Sequence, residues 1–490
     1  MKTVALYNLG CKVNSYETEG MGQKLRENGY EIVPFEEKAD IYIVNTCTVT
    51  NIADRKSRQM LHRAKQLNPD AVVVAAGCYV QTGLANVEKD AGIDLAVGNN
   101  HKKDIVELLE RYLEERRAGG GGPGAQASKT LSGAAVMDMN RNCEYEEMQL
   151  RHTTEHTRAY IKIQDGCNQF CSYCVIPYAR GRVRSRRAED ILQEIRGLVD
   201  AGYREAVLTG IHISSYGIDF PNEPDRAEAG GDVRKDSEGT GRSAGELASG
   251  NGGDTRKRGP GYNGRSKLIE LIEQIHEIPG LDRIRLGSLE PRIISEDTVR
   301  RLAALPKLCP HFHLSLQSGC DATLKRMNRH YTSGEYYNSV EILRRFFDHP
   351  AITTDVIVGF PGETEEEFAL TKSFLNQVNF YEIHVFKYSR RTGTAADAMG
   401  DQVPEEVKAR RSGELLELTK LQARAFREHY IGEEAEVLLE ERREIEGRML
   451  LTGHTKDYVK IAVDGEEGSL EENRIVSVPV TGFLTDEILI

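Results

Sequence analysis

Residues 163–182 read IQDGCNQFCSYCVIPYARGR, and within them Cys167, Cys171 and Cys174 follow the spacing C-x3-C-x2-C. Thiolates are the usual ligands of iron–sulfur clusters, and a cubane takes four ligands. This loop supplies three, and the next cysteine, Cys309, lies far downstream. Three protein ligands leave one iron open to an outside ligand, the logic that separates a catalytic from a structural zinc site. The competing reading is a zinc knuckle. Zinc sites commonly pair C-x2-C units or set Cys and His at fixed spacings. No second half occurs here, and His152 and His156 precede a predicted strand. The loop predicts one [4Fe–4S] cluster with an iron open for chemistry.

A second set is visible only through the elements that would carry it. Cys11, Cys47 and Cys78 are 36 and 31 residues apart, which is no metal motif by spacing. Each directly follows an apolar run: TVALYNL (3–9), IYIVNT (41–46) and AVVVAAG (71–77). Such runs read as buried strands, and the amphipathic stretches Ser15–Asn28 and Ala53–Leu67 between them as helices. Strands alternating with single helices predict a parallel α/β sheet. All strand C-termini then share one edge, where ligands bind. One cysteine there would be a small buried residue; three in equivalent places predict a shared cluster.

Residues 1–115 form this first α/β domain. Residues 117–142, rich in Gly, Ala and Ser, read as a flexible linker. A second α/β block spans 150–400, with candidate strands at 158–164, 205–210, 282–288, 311–317, 352–360 and 381–389. Six βα units predict a partial barrel, and the cysteine loop follows its first strand, at the face where barrels put chemistry. The segment 221–265 has almost no large apolar residue and is expected to be a disordered insertion. A helical connector (401–430) leads to short alternating strands over 431–490, which predict a small β-barrel.

The chain of 490 residues carries 64 − 76 = −12 charges, which argues against indiscriminate nucleic-acid binding but leaves room for local basic patches. No stretch approaches the roughly 20 apolar residues of a membrane span, and the N-terminus is too quickly polar for a secretory signal. A cytoplasmic protein is expected, in which nine cysteines are reduced or metal-bound. Cys143, Cys309 and Cys320 are expected only to pack.

The loop CNQFCSYC, with Tyr173 before its third cysteine, resembles the cluster loop of the radical S-adenosylmethionine superfamily, as does the six-unit barrel. The resemblance implies that S-adenosylmethionine chelates the open iron and is cleaved reductively to a 5′-deoxyadenosyl radical, so that the cofactor carries the hard chemistry. Later strand ends match in order. LTGIH (208–212, with Gly210) resembles the strand that meets the methionine amino group. GSLEP (287–291, with Ser288 and Glu290) and LSLQSG (314–319, with Ser315 and Gln317) resemble polar positions near the ribose and carboxylate. VIVGFPGET (356–364, with Gly359) resembles the turn against adenine. Singly, each such Ser or Gly is more often turn chemistry.

LGCKVNSYETE (9–19), NTCTVTNIADRKSRQ (45–59) and AAGCYVQ (75–81) are similar to the signatures of the methylthiotransferase family, and the resemblance covers nearly the whole chain, ending in an RNA-binding β-barrel of the TRAM type. It implies a second [4Fe–4S] cluster on Cys11, Cys47 and Cys78 whose open iron carries the sulfur, two S-adenosylmethionine per product, an electron donor of flavodoxin or ferredoxin type, and a sulfur source. KVN after Cys11 and TVTNIADRKSRQ after Cys47 look most like the branch that modifies N6-threonylcarbamoyladenosine in tRNA, beside the anticodon; the isopentenyladenosine branch typically shows QMN at the first site. The alternatives are that branch, a methylthiotransferase of a ribosomal-protein Asp, and a non-enzymatic iron–sulfur or zinc RNA-binding protein.

For the RNA, YARGRVRSRR (178–187) offers Arg180, Arg182, Arg184, Arg186 and Arg187 directly after the cluster cysteines, fit to grip phosphates beside an extruded base. The bland reading is a solvated helix lead-in paired with Glu189 and Asp190. Arg55, Lys56, Arg58, His62, Arg63 and Lys65 are candidates to extend the track. In the last domain Lys456, Tyr458, Lys460 and Arg474 are candidates for a basic face, against an acidic entry strand.

Overall fold

The computed structural model describes residues 2–118, 136–139, 143–151, 157–221, 266–464 and 471–490. The proposed insertion 221–265 lies outside them beyond its first residue, and so does most of the proposed linker. The linker residues that are described are not loose. Residues 117 and 118 end a helix, Met139 is buried, and the Met137 carbonyl accepts from Gln81.

The first domain runs β1 (Thr3–Asn8), α1 (Lys12–Glu27), β2 (Glu31–Val33), β3 (Ile41–Thr46), α2 (Asn51–Leu67), β4 (Val72–Gly77), α3 (Cys78–Val87), β5 (Leu95–Val97) and α4 (Ile105–Ala118). Its sheet is parallel in the order β2-β1-β3-β4-β5. Every residue of β3 and β4 is buried, as expected for strands covered by helices on both faces. One core cluster packs Val4, Ile43 and Val74 against α1 and α4; the other packs Ala5, Val44 and Val73 against α2 and α3.

The second domain contains β6 (Ala159–Asp165), α5 (Ile176–Arg180), β7 (Arg184–Ser185), α6 (Ala188–Asp200), β8 (Glu205–Gly210), α7 (Lys267–His276), β9 (Arg283–Leu286), α8 (Glu296–Ala303), β10 (His311–His313), α9 (Asp321–Arg326), α10 (Ser333–Phe346), β11 (Ala351–Val358), α11 (Glu365–Val378) and β12 (Glu382–Lys387). Six parallel strands curve as two sheets, β6-β8-β9 and β10-β11-β12. Single bridges, Ile284 to Leu308 and Leu289 to Leu314, join them. The helices pack outside on one apolar core. Capping boxes start α10 (Thr332, Glu335) and α11 (Thr364, Glu367), satisfying N–H groups that a helix start otherwise leaves open.

The helix α12 (Glu405–Glu428) leads to β13 (Glu434–Ile445), β14 (Arg448–His454), β15 (Lys460–Val463) and β16 (Ile475–Pro479), a curled antiparallel sheet in the order β15-β14-β13-β16. A bridge from Leu489 to Ile461 brings the chain end back to the far edge. The loop between β14 and β15 turns inward. Tyr458 lies between Arg158 and Arg285, 4.9 and 4.7 Å from its ring centre, and stacks on His454. Arg285 donates to the carbonyls of Thr455 and Lys456. This corrects the basic face expected of Tyr458: its ring is spent on the seam with the barrel. Lys456, Lys460 and Arg474 stand by Glu436, Glu441 and Glu471. Among the described residues no helix is long and apolar enough to cross a membrane.

Candidate active site

The loop after β6 is held by its backbone. Gly166 sits at φ = 71°, where a Cβ would collide with the Arg182 carbonyl oxygen. Cys167 then donates its N–H to Gly181 O at 3.0 Å. Ser172 is tied at both ends, by N–H to Met327 O (3.0 Å) and by hydroxyl to Arg326 O (2.7 Å). Asn328 caps the carbonyl of Phe170 at 3.0 Å. Two donors face the sulfurs: Arg329 Nη1 lies 3.2 Å from Cys171 Sγ, and Gln169 N–H 3.5 Å from Cys167 Sγ. Burial pushes the Cys167 thiol up to about 11, with Cys171 adding to it; Cys174 is raised by burial, then by Cys171 and Cys167. Three neighbouring thiols met by a guanidinium and an amide N–H suit a cationic centre that takes thiolates. The residues fit a [4Fe–4S] cluster. Arg329 carries no signal in the sequence, since it lies 158 residues from Cys171.

β1, β3 and β4 are sheet neighbours, so Cys11, Cys47 and Cys78 leave the sheet at one edge. Cys11 is exposed, and Cys47 and Cys78 are buried. Burial raises Cys47 to about 11, with Cys78 and Cys11 adding to it. Burial also raises Cys11; Arg180 opposes this and Cys78 adds to it. Asn99 Nδ2 donates to Cys78 Sγ (3.5 Å) and to Ala179 O (2.7 Å), bridging this edge to the loop that follows Cys174. The same donor chemistry fits a second iron–sulfur centre here.

Three of the five arginines assigned to RNA are corrected. Arg180, Arg184 and Arg186 are buried, because each guanidinium is committed inside the chain. Arg180 reaches Glu17 at 2.8 Å, Asp165 at 3.1 Å and Asn14 Oδ1 at 2.6 Å. Arg184 lies 3.6 Å from Asp165, and Arg186 pairs with Glu194 and Glu147. Lys162 and Lys102 complete the cage around Glu17. Burial would raise the Glu17 carboxyl, but Arg180, Lys102 and Lys162 outweigh it and hold it well below the usual range. Arg182 and Arg187 are exposed, with Arg182 over the Phe170 ring at 4.4 Å. On α2, Arg55, Lys56, Arg58 and Arg63 are exposed, whereas His62 and Lys65 meet Asp90 and Asp94.

The other predicted residues line the C-terminal strand ends. Tyr173 is half-buried, edge-on to Phe360. Gly210 ends β8. Ser288 is exposed and Ser315 half-buried. Glu290 is buried and held by Arg292 at 3.0 Å, Gln169 at 3.3 Å and His212 at 3.4 Å. Burial would raise its carboxyl; His212 and Arg292 outweigh that and take it down to about 2. Gln317 sits at φ = 72°, bridging to β11 through Asp355 O and Ile357 N–H. Gly359, at φ = 70°, gives its N–H to Glu363 at 2.6 Å, and a side chain there would strike Lys408. Cys309 and Cys320 are buried packing residues, and Cys143 lies 3.5 Å from the Met137 sulfur.

Lys12 lies 5.9 Å from the Tyr160 ring centre, with Arg158, Arg285 and His311 as charged or titratable neighbours. His313 Nε2 meets Asp355 at 3.3 Å and its ring stacks on His384. His311 is pushed well below its usual range by burial, then by Arg285, His313 and Lys12.

Comparison with known proteins follows this division. Residues 3–98 match the model described as Uncharacterized protein family UPF0004, and residues 161–375 that of the Radical SAM superfamily. The Threonylcarbamoyladenosine tRNA methylthiotransferase MtaB of Bacillus subtilis is 38% identical over 98% of this chain and 94% of its own. Its namesake from Aquifex aeolicus is 36% identical over 97% and 99%. The tRNA-2-methylthio-N(6)-dimethylallyladenosine synthase of Carboxydothermus hydrogenoformans is 32% identical over 98% and 97%. Among solved structures, the radical S-adenosylmethionine methyltransferase TsrM from Kitasatospora setae superposes with a TM-score of 0.51 at 16% identity, over 79% of this chain and 73% of that one; that likeness is one of fold. With its UPF0004 and radical S-adenosylmethionine domains in this order, and with full-length relatives of this kind, the chain belongs to the radical S-adenosylmethionine tRNA methylthiotransferase family.

Proposed function

We propose that this enzyme adds a methylthio group to C2 of N6-threonylcarbamoyladenosine at position 37 of tRNA, using two [4Fe–4S] clusters and S-adenosylmethionine. The observation that carries the reading is Arg180: one buried guanidinium ties the loop of Cys167, Cys171 and Cys174 to the helix that begins beside Cys11. That link gives two three-thiol edges a common frame, as a reaction with one radical source and one sulfur carrier requires. The MtaB names of the relatives at 38% and 36% identity support the threonylcarbamoyl substrate.

When bound, these groups supply one-electron chemistry able to replace an unreactive C–H bond with C–S. The chain's own residues then divide the work. Arg329 and the Gln169 N–H donate to the sulfurs of Cys171 and Cys167, which would favour the thiolate form of these residues when a cluster is bound. In this reading Tyr173, Gly210, Ser288, Glu290, Ser315, Gln317 and Gly359 surround S-adenosylmethionine, with Glu290 pinned as a carboxylate. Arg182 and Arg187 contact tRNA phosphates. An electron donor of flavodoxin or ferredoxin type and a sulfur source are the other partners. The second reading, favoured by the relatives named for dimethylallyladenosine, is the isopentenyladenosine substrate. Nucleoside mass spectrometry of tRNA from a strain lacking the gene, and from the same strain complemented, separates them. Loss and recovery of 2-methylthio-N6-threonylcarbamoyladenosine is expected; loss of only the isopentenyl product would overturn the assignment.

A further inference from the structure

Lys12 is the first residue of α1, directly after Cys11. Its side chain is exposed, and its ammonium lies 5.9 Å from the ring centre of Tyr160 on β6, at the outer edge of the roughly 6 Å range in which a ring holds a cation. Arg158, Arg285, Glu205 and His311 are its electrostatic neighbours. The other cations of this wall are each answered by a carboxylate. Arg158 meets Glu440 at 3.2 Å, and Arg285 meets Glu205 at 2.6 Å. On β11, Asp355 is engaged by His313. Of the three cations Lys12, Arg158 and Arg285, Lys12 is the one with no ion pair and no hydrogen bond among the described residues. A lysine set among arginines, with the nearby carboxylates already taken, is a cation waiting for an anion from outside the chain.

We infer that Lys12 is the counter-ion for the carboxylate of the substrate's threonylcarbamoyl group, and so selects that base over one bearing an apolar N6 substituent. The inference rests on the substrate reading above and deepens it. A threonylcarbamoyl group brings a carboxylate to the base at neutral pH. A dimethylallyl group brings none, and docking it here would strip water from the ammonium without replacing it, which is costly. The position suits a specificity residue: it directly follows Cys11, on the proposed sulfur-bearing edge, and faces Tyr160 of the barrel's first strand. An RNA phosphate is the other anion with the same chemistry, and the test separates the two.

The holoenzyme is assayed on an anticodon stem-loop RNA carrying N6-threonylcarbamoyladenosine, on the same RNA with the threonyl carboxylate as its methyl ester, and on the isopentenyladenosine RNA. The wild-type enzyme is expected to prefer acid over ester by at least about tenfold in kcat/KM, the scale of a desolvated charge contact. Lys12→Gln, similar in reach but neutral, is expected to erase that preference mainly through KM, and Lys12→Arg to keep it. Iron content and RNA-independent cleavage of S-adenosylmethionine report whether the variants stay assembled. A wild-type enzyme indifferent to the ester overturns the inference without any variant. A Lys12→Gln enzyme that keeps the preference overturns it too. An equal loss on acid and ester, with a shallower salt dependence, assigns Lys12 to a phosphate and also overturns it. An enzyme active only on isopentenyladenosine RNA overturns the substrate reading itself, a result distinct from the others.

Discussion

Arg180 Nη1 stands 2.8 Å from Glu17 Oε1, although the two lie 163 positions apart in the chain. Arg180 closes the helix that follows the barrel cysteines, and Glu17 lies on the helix begun by Cys11. Both side chains are about 1% exposed. Lys102 and Lys162 share the glutamate, and Asp165 shares the arginine. A buried network of this kind gives little net stability over an apolar one, but removing one member strands the others without water. Here the stranded charges would lie where two domains must keep their spacing.

Arg180→Met is therefore expected to destabilise the chain by about 3–5 kcal/mol, read from chemical denaturation. Glu17→Gln should cost a similar amount. The double variant should lose clearly less than the sum, because each single change leaves its partner unpaired. Strictly additive losses would show that the two charges do not depend on each other.

Arg182 and Arg187 are the arginines of this stretch that face solvent. Replacing both with alanine is expected to weaken tRNA binding at every sequence and to lower the slope of log affinity against log salt by about one per lost phosphate contact. Arg184→Ala should lower stability first, since Arg184 donates to the carbonyl of Arg180 at 2.8 Å. An unchanged salt slope in the Arg182/Arg187 variant would remove this surface from the RNA path.

Why the arginine stripe misleads on the page is physical. Alternating cations in YARGRVRSRR look solvated, because the carboxylates that bury them, Glu17, Glu194 and Glu147, belong to other elements. Lys12 shows the converse: its isolation depends on pairs made by Arg158 with Glu440 and Arg285 with Glu205, visible only in three dimensions. The frame was more legible. β3 and β4 are uninterrupted apolar runs, and the three cysteines that follow strands locate a sheet edge without any metal motif. The three-residue strands β2 and β5 were not, since EIV and LAV are too short for a period to register. Tyr458 is a tyrosine in a turn until the lumen arginines on either side of it are known.

Glu290 carries a pH prediction. Its carboxyl lies at about 2 in the folded chain, against 4.5 unperturbed. Between those values the unfolded chain binds the proton and the folded chain does not, so stability rises with pH across that window. The contribution is complete above about pH 4.5 and lost as pH falls toward 2; its size is about 3 kcal/mol at 1.36 kcal/mol per unit. Glu290→Gln should flatten the fall in unfolding free energy of the iron-free chain between pH 5 and 3. Superimposable slopes for the two proteins would mean that His212 and Arg292 do not hold the carboxylate.

Gly166 tests whether the cluster loop depends on its entry turn. The residue adopts φ = 71°, and a Cβ would collide with the Arg182 carbonyl, which is backbone and cannot swing aside. Relief requires the 166–167 and 181–182 segments to part, and the bond from Cys167 N–H to Gly181 O lies between them. Cys167 would then move away from Cys171 and Cys174, which are anchored separately through Ser172. Gly166→Ala is therefore expected to lower reconstituted iron from about eight to about four per chain, one cubane's worth, and to abolish reductive cleavage of S-adenosylmethionine. The edge at Cys11, Cys47 and Cys78 should keep its share. Gly29→Ala is the control. Gly29 also has positive φ, at 80°, but its Cβ would meet nothing within 4 Å, so that variant bears only the backbone strain, about 1 kcal/mol, and should keep all its iron. Full iron and undiminished cleavage in Gly166→Ala would show that the loop tolerates a parted turn and that Cys167 is placed by its neighbours in the cluster instead.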